Sequence, residues 1–489
     1  MLALILTPMA HPAMRSVQWV ETAGFRSEAA MGKHERTIAI VGGGISGSLT
    51  AYYLSRKGTS ARLVVIDPAP RLGLGLAYST PSLKHLLNVP AGKMTLLPED
   101  PNHFLRWLRE HHDPTARADE FMPRAVFGRY MQSLLETAPG IEHLRELATD
   151  CRLDGQEAVL TLAGGAEMRA DRVVLALGNF LPARLPGVSQ AAEEQGVYCH
   201  SAWEKRTYEG IDADAEVLLI GSGLTAVDVW IRLREVGHWG AIRMVSRHGK
   251  LPESQAPYTE LAGCVIGEPP ERARELLRAV HRAIASGLEW RAVVDSLRER
   301  TNELWLALPE QEQRRFKRHL QRRWEVVRHR MAPKVAERLG REIAAHTVQV
   351  VQGSVLAVEA AGGGAEVRTR NREGAERVWK ACRAINCTGP EMNYARVGSL
   401  LLNHMLERGD AVAGPLGYGL WSDACGGLRN RRGEYSRILF NVGPGRQGVL
   451  LESIAVPELR QQAAQMARVL VRETKDDLCA EIVGPELAA

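Results

Sequence analysis

The apolar positions of the chain fall in short blocks separated by glycine turns, and the first strong block is Thr37-Ile-Ala-Ile-Val41. A short apolar run of this length before glycines predicts a buried β-strand. It leads into Gly42-Gly43-Gly44-Ile45-Ser46-Gly47, a helical pattern through Leu54, and a second apolar strand, Leu63–Ile66, ending in Asp67. Strand, glycine turn, helix and strand within about 30 residues form the dinucleotide-binding unit. Each glycine has its own task. Gly42 permits the tight turn, Gly44 admits a pyrophosphate to the backbone, and Gly47 lets the helix pack close to the strand. Ile45 and Ser46 open the helix, where free N–H groups and the dipole favour phosphate. Asp67 stands where an acid accepts hydrogen bonds from ribose hydroxyls.

The unit recurs. Glu216–Ile220 reads as a strand, Gly221-Ser222-Gly223-Leu224-Thr225-Ala226 as the turn, and Val227–Glu235 as its helix. The next strand is Ala241–Val245. Asp67 lies 25 residues beyond Gly42, and the residue 25 beyond Gly221 is Ser246, followed by Arg247. An acid replaced by serine beside an arginine favours a 2′-phosphate, hence NADPH over NADH.

A longer repeat encloses both units. Glu157–Leu162, a Gly164-Gly165 turn and Asp171–Gly178 read as a hairpin and a final strand. Ala365–Arg370 and Arg377–Gly389 read the same way. Each final strand ends in small residues and a glycine, Gly178 or Gly389, as expected of chain passing close to a bound nucleotide. The fold class is therefore α/β, with two dinucleotide-binding Rossmann-like domains. Separate flavin and nicotinamide sites would let hydride pass between two rings. The expected first domain covers 34–211 and 381–475, and the second covers 212–264 and 346–380.

Residues 265–345 break this rhythm and read as a helical insertion. Phe316, Leu320, Trp324, Val327 and Met331 recur at helical spacing. Between 310 and 341 stand 11 Lys/Arg against 4 Asp/Glu. The plain reading is a solvated basic face. A sharper one is an anion site: at roughly 100° per residue His319, Arg323 and Arg330 share one side of a continuous helix. Such a trio could hold a substrate carboxylate.

Composition narrows the classes. The net charge is +5, hydrophobic residues make up 45% and charged residues 24%, so neither a disordered chain nor a nucleic-acid partner is implied. There is no run of 18 apolar residues, so no membrane span is expected. Seven cysteines suggest no disulfide framework, and a reducing cytoplasm is the expected compartment. There is no Cys-x-x-Cys and no zinc-type spacing, so neither a redox dithiol nor a metal is expected. Residues 1–33 read as a disordered extension, or as sequence upstream of a second start at Met31; the apolar run Leu2–Leu6 is too short for a secretory signal.

The runs Gly42–Gly47, Leu72-Gly-Leu-Gly-Leu-Ala-Tyr-Ser-Thr80 and His85-Leu-Leu-Asn-Val-Pro-Ala-Gly-Lys-Met94 resemble the bacterial FAD/NAD(P)-binding family that includes nitrosuccinate synthase. Ile385–Pro390, Val442–Arg446 and Glu452–Arg460 resemble the same family's later motifs. The resemblance implies FAD in the first site and NAD(P)H in the second, with flavin contacts at Ala77, Tyr78, Asn88, Val89 and Gly443. It also implies flavin-borne N-monooxygenase chemistry with molecular oxygen on a small amino acid or amine, L-aspartate in the best-known relative. No protein residue need act as nucleophile, and none is assigned. Two other readings stay open: a reductase serving a quinone or protein, and a flavin-based redox sensor. Pro457 reads as the first residue of a final helix through Val469.

Overall fold

All five residues of β1 (Thr37–Val41) are buried, which makes this strand the spine of the first sheet. In the computed structural model, which describes residues 36–472, α1 (Ile45–Arg56) carries the chain from β1 to β2 (Arg62–Ile66). Nine consecutive residues of α1, Ser46 to Leu54, are buried. A helix covered on all sides belongs to an interior layer. The helices α2 (Gly75–Tyr78), α3 (His103–His111) and α4 (Arg124–Glu136) follow, then β3 (Ile141–Leu144). Next come the antiparallel strands β4 (Ala148–Asp154), β5 (Glu157–Leu162) and β6 (Glu167–Ala170), before β7 (Arg172–Leu175) returns to pair in parallel with β1.

The second unit repeats this plan. It comprises α5 (Gln190–Glu194), β8 (Tyr198–Cys199), β9 (Val217–Ile220), α6 (Leu224–Glu235) and β10 (Ile242–Ser246). The insertion contains α7 (Ala273–Ala285), α8 (Trp290–Ser296), α9 (Thr301–Leu306), α10 (Glu310–His319) and α11 (Gln321–Arg328). Then α12 (Pro333–Ala344) leads to β11 (Val348–Gln352), which pairs in parallel with β10. The strands β12 (Ser354–Ala361), β13 (Gly364–Arg370) and β14 (Glu376–Ala381) form an antiparallel sheet, and β15 (Arg383–Asn386) returns beside β9. The chain closes through α13 (Leu400–Arg408), β16 (Gly427–Arg429), β17 (Tyr435–Asn441) and α14 (Val456–Val471). The two main sheets have the orders β16-β17-β7-β1-β2-β3 and β11-β10-β9-β15-β8.

The expected repeat is therefore present, but the domain limits shift. Tyr198–Cys199 and Arg383–Asn386, expected in the first domain, are strands of the second sheet. Leu185, Val188 and Ala192 also pack into the second unit's core. Assigning 381–475 to the first domain severs β15 from the antiparallel sheet that precedes it. Likewise α12, expected in the insertion, packs Val335, Leu339 and Ile343 against the second sheet. It is the crossover helix that a parallel β10–β11 pair requires. Pro457 falls within the first two positions of α14, in keeping with its missing N–H. The extension expected over residues 1–33 lies outside the described residues. Among the described residues no helix is long and apolar enough to cross a membrane.

One ion pair ties the units together. Arg124 of α4 donates to both carboxylate oxygens of Asp228 in α6, at 2.7 and 3.2 Å, and its Nε also donates to the Leu86 carbonyl. Beside it His85, 3% exposed, bonds the Thr80 hydroxyl and the Asp228 carbonyl oxygen. Burial pushes the His85 pKa below its ordinary value. Removing one member of a buried pair strands the other charge, so Arg124→Ala should cost about 3–5 kcal/mol in stability, read by denaturant unfolding. Arg124→Ala with Asp228→Ala should cost less than the sum of the two single changes. For His85 the unfolded imidazole binds its proton at the higher pH. Its contribution to stability is thus present above about pH 6.5 and is lost as pH falls. Melting midpoints measured from pH 7.5 down to 5 should fall, and the slope should be shallower in His85→Gln.

Candidate functional site

At the first turn Gly42 takes φ +107°, and a Cβ there would overlap the Ala176 carbonyl oxygen at the end of β7. A Cβ on Gly47 would overlap the Gly42 carbonyl oxygen. Both glycines thus have the packing tasks expected of them. Gly44 differs. A Cβ there would meet only the Gly75 Cα, at 3.7 Å. The space in front of Gly44 is bounded by backbone from the Leu72–Tyr78 run, whose Gly73 N–H donates to the Gly43 carbonyl at 2.8 Å. Helix α1 begins there with no side-chain cap and no acid in its first turn. Uncapped N–H groups at a glycine turn are suited to a pyrophosphate, so Ile45 and Ser46 stand where one would be held. Asp67 accepts from the Gly43 and Ala69 N–H groups through separate oxygens, which fixes its carboxylate at the end of β2.

The other expected flavin contacts converge only in part. Gly443, at φ +75°, abuts the Ser46 hydroxyl, so the closing segment covers the start of α1. Its N–H donates to Gln462 and its carbonyl accepts from Ser453, which in turn accepts from Gln462. Tyr78 packs on Phe127 with ring centres 5.1 Å apart, and burial pushes its pKa up to about 12. Ala77 is exposed on α2, whereas Val89 packs against the first core. Asn88 accepts at its carbonyl from Gln255 of the second unit. Gly178 and Gly389 both take left-handed φ, +69° and +87°, with no protein atom within 4 Å of a Cβ.

The second turn copies the first. Gly221, at φ +128°, abuts the Cys387 carbonyl just beyond β15. Helix α6 starts at Leu224 and Thr225 with no side-chain cap and no acid in its first turn. Ala226 is fully buried, as close helix packing requires. Ser246 is held by the Ser222 hydroxyl at 2.7 Å. Arg247 is exposed beside it. Sequence spacing missed the surrounding cations. Burial, then the fields of Arg247, Arg322, Lys250 and Arg372, push His248 below the ordinary histidine value. Arg322 arrives from α11, with one guanidinium nitrogen 4.0 Å from a Cβ position on Gly223 and a hydrogen bond to the Lys250 carbonyl at 2.6 Å. Lys250 and Arg372 could have been sought beside Arg247 and on the adjoining hairpin; Arg322 could not, because the insertion brings it.

The expected substrate trio does not assemble. His319 and Arg323 would share a face only on a continuous helix, but the helix breaks at Leu320 (φ −114°). His319 lines a surface pocket with Glu271 and Arg272, while Arg323 lines a separate cavity within the insertion. Arg330 lies past the end of α11, 1% exposed, paired with Asp295 and within reach of the Trp290 and Tyr258 rings. Met331 leaves the expected stripe and joins the second unit's core. Among the described residues no cluster of three metal-ligating side chains occurs.

Two Rossmann units, each with a glycine turn opening onto an uncapped helix, define an α/β fold of the FAD/NAD(P)-binding Rossmann type. Residues 39–180 match the model of the FAD–NAD(P)-binding family. No curated protein matches the chain by sequence. Among solved structures, an ornithine N-hydroxylase from Kutzneria sp. 744, determined with reduced FAD, NADP+ and L-ornithine, has 14% identity and a TM-score of 0.61, covering 90% of this chain and 100% of its own. An FAD-bound cadaverine monooxygenase from Erwinia amylovora has 14% identity and a TM-score of 0.60, covering 94% and 96%. A bacillithiol disulfide reductase from Bacillus cereus has 12% identity and a TM-score of 0.53, covering 90% and 99%.

The two glycines separate folding from binding. Gly47→Ala should lower the melting midpoint sharply, because its Cβ meets backbone. Gly44→Ala should change the unfolding free energy of the unliganded protein by no more than about 1 kcal/mol, the ordinary size of a tolerated glycine change. Thermal unfolding of the two purified variants is the check.

Proposed function

We propose that the chain is an FAD-dependent, NADPH-consuming monooxygenase that hydroxylates the nitrogen of an amine. The observation that carries this reading is the pairing of two separately built nucleotide sites, locked together by Arg124 and Asp228, with a third helical unit reaching the second site through Arg322. Two cofactor sites within one rigid frame suit hydride transfer between bound rings. The likeness to enzymes described as an ornithine N-hydroxylase and a cadaverine monooxygenase supports nitrogen as the oxidised atom.

In this reading the N–H groups at Ile45 and Ser46 hold the FAD pyrophosphate, and Asp67 orients its ribose. The N–H groups at Leu224 and Thr225 hold the NADPH pyrophosphate. Arg247, Arg322, Lys250 and Arg372 surround the 2′-phosphate. The bound cofactors supply the redox chemistry, in which amine, dioxygen, NADPH and a proton become hydroxylamine, NADP+ and water. The protein must keep bulk water away and orient the nitrogen. The substrate-carboxylate site expected at His319, Arg323 and Arg330 is not retained, because those residues do not converge on one ligand.

Purified protein should be yellow, and Gly44→Val should be folded yet colourless. A wild type that cannot be loaded with FAD would refute the first site. A charge-assisted contact contributes about 1.5–3 kcal/mol, roughly 10- to 150-fold in affinity. NADPH should therefore outcompete NADH, and Arg247→Ala or Arg322→Ala should erase most of that preference with FAD retained. Steady-state kinetics with both nucleotides decides this. Oxygen, peroxide and product accounting with amine present tests the chemistry. Rapid anaerobic turnover with a quinone, without N-oxygenated product under oxygen, would favour the reductase reading.

A further inference from the structure

The insertion forms most of the wall of a half-open cavity of about 510 Å³, a normal size for a small-molecule site, where roughly 300–1,000 Å³ is usual. One wall is α7. Its Leu276, Leu277, Val280 and Ile284 recur at helical spacing and all line the cavity. A surface helix normally presses such a stripe into a core. Here Ala273 is the only buried residue of α7, and Ile284 is 37% exposed. The opposite walls bring Trp290, Trp305, Phe316 and Trp324.

The interior holds little that could satisfy a charged ligand. The Trp305 indole N–H already donates to the Val449 carbonyl, the Trp324 indole to Glu452, and the Thr301 hydroxyl to the Leu297 carbonyl. A carboxylate taken inside would exchange its water for at most the Trp290 indole N–H among the interior side chains, which is unfavourable. The charged lining residues Lys250, Glu253, His281 and Arg323 are exposed, so charge is confined to the mouth.

The cavity also has a place relative to the nucleotide sites. Lys250 accepts at its carbonyl from the Ser222 hydroxyl of the second glycine turn. Leu451 lines the cavity from the closing segment of the first unit, next to Glu452 and two residues before Ser453, which bonds Gly443. The pocket thus spans from one nucleotide unit to the other.

We propose that this cavity binds the amine substrate, and that the amine is carried on a hydrocarbon or aromatic body rather than on a dicarboxylate. The body fills the aromatic and aliphatic interior, and the ammonium end stays at the solvated mouth, where Glu253 is the one acidic lining residue beside Lys250, His281 and Arg323. The substrate role rests on the N-hydroxylation reading, whereas ligand binding does not.

The experiment is calorimetric titration of the FAD-loaded full chain with n-octylamine, 2-phenylethylamine and L-aspartate. The two apolar amines should bind saturably, and aspartate at least tenfold more weakly. Val280→Phe, which fills the cavity, should weaken octylamine binding at least tenfold while the circular dichroism and flavin spectra persist. If that variant does not fold, Leu277→Phe on the same wall gives the same reading. Absence of octylamine and phenylethylamine binding, or binding indifferent to both fillings, overturns the proposal, as does preferential binding of aspartate. Octylamine that binds in the predicted way but gives no N-oxygenated product under oxygen with NADPH supports the cavity and sinks the monooxygenase reading instead.

Discussion

Both nucleotide units depend on one backbone contact, the pressing of a glycine against the carbonyl that follows a returning strand. In the first unit Gly42 meets Ala176, and in the second Gly221 meets Cys387. The contact needs a positive φ and no side chain, so glycine alone fits. It also needs the returning strand in place. β7 and β15 each arrive after a three-stranded antiparallel sheet, and each pairs in parallel beside the strand that opens the turn. The glycine turn is therefore not a local device. Its geometry is completed by chain more than a hundred residues downstream, which explains why the whole long repeat, and not just the turn, occurs twice.

The insertion is held to this frame by buried charge. Glu452 of the closing segment accepts from the Trp324 indole and lies 3.8 Å from Arg328, while Arg328 and Arg298 lie within 3.8 and 3.5 Å of Glu458. Burial alone would raise the Glu452 carboxyl; Arg328, His329, the Trp324 hydrogen bond and Arg298 hold it below its ordinary value. Asn302 adds two hydrogen bonds to the Glu452 main chain. Buried ion networks of this kind give little net stability over apolar packing, yet losing one member is costly. Their effect here is geometric: they fix the cavity wall against the segment that covers the start of α1.

The packing of the two glycine turns was legible in the sequence, because a strand–turn–helix unit demands the same close backbone contacts wherever it occurs. Gly42, Gly47, Gly221 and Ala226 sit as their spacing implied. The domain limits were misread where β15 was parted from its own antiparallel sheet, although the repeat of small residues before Gly178 and Gly389 pointed the other way. The helix break at Leu320 had no local signal. No proline or glycine occurs between Pro309 and Pro333, and the bonds from Leu320 to Phe316 and from Trp324 to Leu320 still follow helical spacing. Packing of Phe316, Leu320 and Trp324 around a cavity overrides a helical pattern that is sound by periodicity alone. Arg322 and the Arg124–Asp228 pair were out of reach for the same reason, since each depends on which surfaces meet.

That division also bears on substrate. The overall fold recurs in solved structures at 12–14% identity, one of them described as a disulfide reductase. A site made of backbone N–H groups tolerates wide change in side chains, so the fold persists while its acceptor varies. The cavity is made of side chains alone and has no such constraint. Its chemistry must be read from what lines it, and a basic insertion is not by that fact an anion site. Arg314, Arg315 and Arg330 are each paired with a carboxylate of the same insertion, so a count of arginines does not by itself describe an open anion site. The apolar interior, not the surplus of arginine, is what a ligand entering the insertion would meet.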